Sequence, residues 1–499
     1  MIAVSIGRGR HKMMLAEHKH LAEQGAELVE LRLDYVVRAV NLKRLVSERP
    51  CPVIVACRRE QDGGRWERSE EDRIMLLRSA IAEGVEYVDL EEDIAGQVPR
   101  FGKTKRIVSY HNFEETPDDL RAIHDRCAAH DADIVKIATT ANNPHDNVRV
   151  LSLISESEVP TVAMCMGDMG IPSRILAGKF GAPFTYATFH KERAMAPGQL
   201  SYQEMKDIYH YDQIDMDTEV YGVIADPIGH TLSPVIHNAA FRSLNMDKVY
   251  VPFRVPREHL ADFLYYSRQL SVQGLSVTIP HKEAVIPYLE HTDTAVDHIG
   301  AANTITINGF EKSGFNTDHR AALESIEKGL RRGEDLDLFT GRTALVLGAG
   351  GVARAAVYAL QTRDVNVVIA SRTLARAQEL AKNFRARAVP WNERQTIDCD
   401  LLVNCTPIGM HPHVDESPVE ADNLNRAMIV FDMVYNPEQT LLIKDARDKE
   451  CSVVTGVDMF IRQASHQFKL FTDEEAPVEA MRETLMNEIG AVKKRDAKQ

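Results

Sequence analysis

Long apolar runs are missing from this chain of 499 residues: none approaches the ~18–20 residues that a membrane-crossing helix needs. The opening run, Met1 to Ile6, is also too short for a secretory signal and is followed at once by Gly7 and Arg8. Cysteine is sparse. Its seven residues (Cys51, Cys57, Cys127, Cys165, Cys399, Cys405, Cys451) are odd in number and form no C-x-x-C pair, which argues against a disulfide framework or a structural zinc site and fits a reducing cytosol. Positive charge is in deficit, with 59 Lys+Arg against 73 Asp+Glu and a net charge of −14. Such a balance speaks against nucleic acid or an anionic membrane as a partner, and the chain reads as cytoplasmic. A small anionic ligand must then be held by local arginines or helix N-termini. Internal repeats and low-complexity tracts are absent, and the basic end, Lys493-Lys494-Arg495, reads as a solvated tail.

What remains is the composition of a globular α/β protein, 44% apolar and 26% charged, long enough for about three domains at ~150 residues each. Eight β-branched runs recur through the first 190 residues: 2–6, 27–33, 53–57, 86–90, 106–110, 133–138, 161–166 and 184–188. Their starts lie one strand-plus-helix apart, and intervening stretches such as 72–82 and 118–129 carry a 3.6-residue apolar period with acidic starts. Eight in a row predict a (β/α)8 barrel, with an open doubly wound sheet as the alternative.

A barrel places chemistry at the C-terminal ends of its strands. Those ends carry Glu30 and Arg32, then Arg58, Glu91, His111 and Lys136. Lys136 stands among Ile134, Val135 and Ile137, a setting expected to desolvate its ammonium, lower its pKa and free an amine to attack a ketone. His111 ends the preceding strand and can shuttle protons beside it, with Glu91 placed to orient the imidazole. A lone strand-end lysine or histidine is most often structural; three complementary groups on consecutive strands point instead to a site. The arginines suit an anionic keto substrate, because a guanidinium pairs bidentately with a carboxylate.

These residues resemble a family. Glu30-Leu31-Arg32-Leu33-Asp34, Ser109-Tyr110-His111-Asn112-Phe113, Asp133-Ile134-Val135-Lys136-Ile137 and Ala196-Pro197-Gly198-Gln199 are similar to type I 3-dehydroquinate dehydratase over residues 1 to about 212. The resemblance implies an imine-forming Lys136, His111 as general acid/base with Glu91 as its partner, and Ser5, Glu30, Arg32, Arg58, Arg174 and Gln199 as substrate contacts. Met195 departs from the family's serine before Ala-Pro-Gly-Gln, which removes one hydroxyl contact from the lid.

Residues 213–219 form a short acidic junction. Beyond it, Leu345-Val346-Leu347 runs into Gly348-Ala349-Gly350-Gly351-Val352-Ala353 and a helical stretch. That is the strand–G-x-G-x-x-A–helix context that brings a pyrophosphate to a helix N-terminus. The next strand ends Ser371-Arg372-Thr373 with Arg376 beyond, where an NAD enzyme would carry an acid for the ribose 2′-hydroxyl; arginines suit a 2′-phosphate, hence NADP(H). Upstream, Lys282, Asn303 and Asp318 supply a proton donor, an amide and a carboxylate, although a lysine–aspartate pair alone is usually structural.

This half resembles shikimate dehydrogenase from residue 220 to about 490. Thr231-Leu232-Ser233-Pro234 stands for the family's Ser-x-Ser-Pro, and Val277-Thr278-Ile279-Pro280-His281-Lys282 and Asn316-Thr317-Asp318 for its lysine and aspartate segments. The resemblance implies Lys282 and Asp318 as catalytic, and Thr231, Ser233, Thr278, Asn303, Tyr435 and Gln463 as substrate contacts. It gives Gly348, Gly350, Gly351, Ala353, Ser371, Arg372, Thr373, Arg376, Thr406, Met433 and Gly456 to the cofactor. His319-Arg320-Ala321 departs from the glycines usual after the aspartate. No metal is expected; the cluster His411-Pro412-His413 reads as an exposed loop.

The expectation is thus a barrel (1–215), a substrate lobe (220–331), a Rossmann NADP lobe (332–457) and C-terminal helices (458–490) returning to the substrate lobe. Together they form a bifunctional enzyme that converts 3-dehydroquinate to 3-dehydroshikimate and then to shikimate. The rivals are a non-catalytic barrel scaffold and an NAD-linked quinate-type dehydrogenase. Oligomeric state is left open.

Overall fold

The structure, a computed structural model, describes residues 1–229, 231–330, 339–411 and 413–496. The expected lobe boundary at 331/332 and Pro412 lie outside them. Two compact units form, one of Met1–Pro234 with Asp247–Val272 and one of Val235–Met246 with Gln273–Gln499.

The first unit opens with eight parallel strands, β1 (Ile2–Ile6), β2 (Leu28–Arg32), β3 (Val53–Ala56), β4 (Tyr87–Glu91), β5 (Lys105–His111), β6 (Ile134–Thr140), β7 (Thr161–Met166) and β8 (Thr185–Thr188). They hydrogen-bond in the order β7-β6-β5-β4-β3-β2-β1-β8, so every adjacent pair but β7 and β8 shares a ladder. Side chains close the remaining gap: Met164 of β7 and Tyr186 of β8 belong to one buried cluster with Ala3, Leu28, Ile54, Ile107 and Ile134. The eight expected runs match these strands to within a residue or two, and the architecture is the (β/α)8 near-barrel.

Helices cover one face of the strands and barrel packing fills the other, so the strands are largely apolar. The buried polar side chains they carry, such as Glu30, Asp89, Glu91 and Lys136, stand out against that background. Local signals set the helix starts. Ser69 caps the helix Glu70–Ala82 by accepting from the Asp72 amide, ahead of three acids in its first turn. Ser201 and Glu204 form a reciprocal capping box on Tyr202–Asp207. The junction after the barrel is stitched down: Lys179 Nζ donates to the carbonyls of Met216 and Thr218, both at 2.8 Å. The unit continues into a parallel pair, β9 (Glu219–Ala225) and β10 (Lys248–Arg254).

The second unit contains, from its second residue on, β11 (Val272–Val277), antiparallel to β13 (Thr304–Asn308), which is antiparallel to β14 (Glu311–Phe315), with the two-residue β12 (His291–Thr292) parallel to β14. It also contains a parallel six-stranded sheet of β15 (Thr343–Leu347), β16 (Asn366–Ser371), β17 (Arg387–Pro390), β18 (Leu401–Asn404), β19 (Ile429–Asp432) and β20 (Ser452–Val454), ordered β17-β16-β15-β18-β19-β20. That 3-2-1-4-5-6 order is the dinucleotide-binding arrangement, with its switch point between β15 and β18. The helix Gly456–Thr472 packs back onto the antiparallel strands through Gln467, which donates to the Asn303 carbonyl at 3.0 Å and accepts from Ser276 at 2.8 Å. The basic stretch 493–495 lies within the helix Val478–Asp496. No helix of the described residues is long and apolar enough to cross a membrane.

Candidate active sites

Parallel register sets the barrel site. Ser5 of β1 lies opposite Glu30 of β2, and Glu91, Ser109 and Lys136 stand in line across β4, β5 and β6. Ser5, Glu30, Arg32, Arg58, His111, Lys136, Arg174 and Gln199 all line one pocket at the strand ends, joined there by Asp62 and Met195.

Lys136 is buried, and its environment is not the apolar one expected from its neighbours in sequence. Its Nζ donates to Asp89 Oδ2 at 3.0 Å and to Glu30 Oε1 at 3.5 Å, and lies 4.0 Å from the centre of the Tyr186 ring. Strand alternation turns the flanking isoleucine and valine to the other face. Ser5 holds Glu30 from the far side at 2.6 Å. Burial alone would raise the Asp89 carboxyl, but Arg58 and then Lys136 outweigh it and hold Asp89 well below the usual carboxylate range.

Glu91 does not serve His111 in this structure. Its oxygens accept from Arg58 at 3.0 Å and Arg73 at 2.6 Å, two buried guanidiniums that outcompete a neutral imidazole for a carboxylate. His111 Nδ1 is buried without a hydrogen-bond partner among the described residues, and burial, then Arg58 and Lys136, hold the imidazole well below its ordinary pKa. Asp62 lines both the substrate pocket and a side cavity shared with His111 and Glu91.

Three arginines bear on the pocket in different ways. Arg32 is held by Asp34 at 3.0 and 2.9 Å. Arg58 is bound to Asp89 as well as to Glu91. Arg174 is also buried but has no carboxylate within ion-pair distance among the described residues; its Nη1 contacts Met164 Sδ at 3.2 Å, its Nε has no partner, and burial pulls its pKa down to about 10. Gln199 accepts from the Met195 amide at 3.0 Å, and Pro197 from the Gly167 amide at 3.1 Å, tying this loop to the end of β7.

In the second unit, Lys282 Nζ donates to Asp318 Oδ2 at 2.5 Å, while Asn303 Nδ2 donates to Asp318 Oδ1 at 2.9 Å and to Thr317 Oγ1 at 2.8 Å. The lysine is thereby fixed at the glycine loop: a Cβ on Gly351 would stand 3.1 Å from Lys282 Cδ. Gly348, at φ +112°, makes the turn from β15 into the helix Gly351–Gln361, in which Ala353 is fully buried. Thr406 donates to Asn404 Oδ1 at 2.6 Å, Met433 Sδ lies 3.5 Å from Cys405 Sγ, and Gly456 begins the helix Gly456–Thr472. Tyr435 stacks on Phe460 with ring centres 4.3 Å apart, and Gln463 donates to the Phe460 carbonyl at 3.0 Å. The Thr278 carbonyl accepts from the His281 amide at 2.8 Å. Ser371 is half-buried at the end of β16, Arg372 and Thr373 are exposed beyond it, and Arg376 reaches Glu283 at 3.3 Å. In the first unit, the Ser233 amide donates to Thr231 Oγ1 at 3.3 Å.

Family descriptions match along the chain in the same order: type I 3-dehydroquinase over residues 2–216, shikimate dehydrogenase substrate-binding domain over 223–305, shikimate/quinate 5-dehydrogenase over 333–438, and shikimate 5′-dehydrogenase C-terminal domain over 456–486. A bifunctional 3-dehydroquinate dehydratase/shikimate dehydrogenase of Arabidopsis thaliana, described as chloroplastic, is 37% identical over 489 residues, covering 93% of this chain and 81% of that one. The chain belongs to the bifunctional 3-dehydroquinate dehydratase/shikimate dehydrogenase family. Its halves are a dehydratase and a shikimate dehydrogenase of the shikimate pathway.

The dehydrogenase half is 41% identical over 288 residues to the shikimate dehydrogenase (NADP(+)) of Methanopyrus kandleri, covering 55% of this chain and 98% of that one. It is also similar to two solved structures. One is a shikimate dehydrogenase in complex with NADP+, at TM-score 0.51 and 34% identity, covering 55% of this chain and 97% of that one. The other is a quinate dehydrogenase from Corynebacterium glutamicum in complex with NAD, at TM-score 0.50 and 30% identity, covering 54% and 99%.

Sequence reasoning missed two carboxylates of the dehydratase. Asp89 is signalled by strand period: it lies two residues before Glu91 and so shares its face. Asp62 follows Arg58 in the loop after β3, and nothing in its spacing singles it out.

Proposed function

We propose that Lys136 condenses with the C3 ketone of 3-dehydroquinate and that the buried, carboxylate-free Arg174 binds the substrate's carboxylate. The observation that carries this reading is one pocket lined by Lys136, His111 and an Arg174 that has no carboxylate within ion-pair distance among the described residues. Asp89 and Glu30 hold the ammonium in place, and His111, neutral at pH 7, can take its proton. The Nζ–C3 bond then forms and water leaves. The cationic imine acidifies the C2 proton; His111 removes it and returns it to the departing C1 hydroxyl. Hydrolysis of the imine releases 3-dehydroshikimate and restores the lysine, so the net change is loss of one water. Glu30, Arg32, Arg58 and Gln199 line the bound ring.

In the second half, Gly348, Gly350 and Gly351 at the N-terminus of an eleven-residue helix fit a pyrophosphate, and the exposed Arg372, with no ion-pair partner among the described residues, fits a 2′-phosphate. These residues favour NADP(H) over NAD. NADPH, when bound, supplies the hydride to the C3 carbonyl. Lys282, held by Asp318, donates the proton to the developing alkoxide, and Asn303 fixes Asp318. Seven free cysteines accord with a cytoplasmic setting.

Borohydride trapping with 3-dehydroquinate tests the dehydratase reading. A covalent adduct on Lys136 is expected; absence of an adduct, with shikimate dehydrogenase activity intact, would leave the barrel as a non-catalytic scaffold.

A further inference from the structure

Beside the dehydratase pocket lies a second cavity of about 390 Å³, lined by Arg8, Arg65 and Arg193 together with Glu17, Glu192 and Tyr35. Ser5 and Met195 line both cavities, so the two are neighbours at the barrel mouth. Three guanidiniums face two carboxylates there, an excess of one positive charge on a chain whose net charge is −14.

The pairing within the cavity is uneven. A single oxygen of Glu17, Oε1, accepts from Arg8 Nε at 2.7 Å and from Arg193 Nη1 at 2.6 Å, so one carboxylate oxygen serves two cations. The Arg65 guanidinium has no carboxylate within ion-pair distance among the described residues. It lies instead over the Tyr35 ring, 4.5 Å from its centre, while Arg32 of the catalytic pocket lies 5.4 Å from the centre of the same ring. Asp34 ties the two arginines together again, accepting from the Arg32 side chain at 2.9 Å and from the Arg65 amide at 3.1 Å. A stacked guanidinium keeps its N–H edge available, which is the edge that pairs with a carboxylate.

We propose that this cavity is a carboxylate-capture subsite, in which Arg65 first engages the anionic ring acid before it passes to Arg32 and Arg174. The inference rests on the reading of the barrel as a dehydratase for an anionic substrate. It answers a physical problem, because the field of an acidic chain repels a carboxylate and only a local concentration of cations at the mouth reverses that. The volume lies within the ~300–1,000 Å³ of small-molecule sites.

The test compares wild-type, Arg65→Gln and Arg65→Lys full-length enzyme, assaying dehydration of 3-dehydroquinate from low to high sodium chloride. Loss of the charge is expected to lower kcat/KM about 5-fold at low salt, with kcat within twofold, and to flatten the dependence on ionic strength. Arg65→Lys is expected to retain most of the wild-type value. Unchanged shikimate oxidation by Arg65→Gln verifies the dehydrogenase half, and a borohydride adduct formed by the variant at saturating 3-dehydroquinate verifies that its barrel folds. Equal kcat/KM for wild type and Arg65→Gln at low salt overturns the subsite, as does a fall confined to kcat. If wild type itself forms no borohydride adduct and does not dehydrate the substrate, the underlying reading fails instead.

Discussion

Asp89 Oδ2 accepts from Lys136 Nζ at 3.0 Å while also binding the Arg58 guanidinium, so one buried carboxylate positions the amine and an arginine of the pocket. Removing its charge by Asp89→Asn leaves two buried cations competing for Glu30 and Glu91. A misplaced amine costs about 10²-fold in rate, and a fall of that order is expected in dehydratase kcat and in the rate of borohydride trapping. Because the folded-state pKa of Asp89 is depressed, its contribution to stability is complete above about pH 4 and fades as the pH falls. The stability gap between wild type and Asp89→Asn, measured by urea unfolding, should therefore narrow below pH 4.

His111 gives a second pH signature. Burial, Arg58, Lys136 and Arg32 all disfavour the imidazolium, and Asp89 alone opposes them. A base so depressed stays neutral well below pH 6.5, so dehydratase kcat/KM is expected to remain flat from pH 7 to below pH 6 rather than halving near 6.5. The stability sign agrees: the neutral form is favoured by folding, so the contribution is present above about pH 6.5 and is lost as the pH falls below it. Isotope-edited NMR of the His111 ring titration checks the assignment, and an inflection at 6.5 would overturn it.

Arg174 separates binding from stability. A buried guanidinium with no carboxylate partner among the described residues is a cost in the ligand-free protein, which the proposed binding of the substrate's carboxylate would offset. Arg174→Met, close in volume, is expected to raise the urea midpoint, with a gain on the order of 1 kcal/mol. It should also raise KM for 3-dehydroquinate more than 10-fold, since a charge-assisted bidentate contact is lost. A variant less stable than wild type, with KM unchanged, would place Arg174 in the framework instead.

What could be read before folding follows from how local each signal is. The barrel strands announce themselves through apolar runs at a regular spacing, and His111 through its place at the end of β5. Lys136, expected at a strand end, stands third of the seven residues of β6 and is marked instead as a lone cation within an apolar run. Partnership is different. That Asp89 rather than an apolar sleeve surrounds Lys136, and that Glu91 goes to Arg58 and Arg73, depends on which side chains of β4, β6, the segment after β3 and the helix Glu70–Ala82 meet in space. Local spacing carries no record of that competition. The same limit hid Asp62, which reaches the pocket from a loop. In the second half, Lys282 and Asp318 were legible together because both sit in compact motifs, and the 2.5 Å bond joins them directly.

That bond supports a further expectation. Asp318 is buried and takes both Lys282 and Asn303, so Asp318→Asn removes the charge that fixes the lysine while keeping the side-chain size. Reductase kcat should fall about 10²-fold or more with little change in KM for NADPH, as expected when a proton donor is displaced. The dehydratase rate of the same variant, measured in parallel, should equal that of wild type.

Arg372 carries the proposed choice of cofactor. It extends beyond β16 with no ion pair among the described residues, while Arg376 is partly engaged by Glu283 at 3.3 Å. A free guanidinium at this position suits a 2′-phosphate, and a charge-assisted contact of that kind is worth roughly 1.5–3 kcal/mol, or about 10- to 150-fold in affinity. Arg372→Asp places a carboxylate where a ribose 2′-hydroxyl would bond and a 2′-phosphate would be repelled. The kcat/KM for NADPH should drop by at least 10-fold and that for NADH should hold or rise, with shikimate KM unchanged. Steady-state kinetics with both cofactors measure the ratio directly. Equal losses with NADPH and NADH would show that Arg372 supports the loop rather than reading the phosphate, and the choice of cofactor would then rest on Arg376 and the hydroxyls of Ser371 and Thr373.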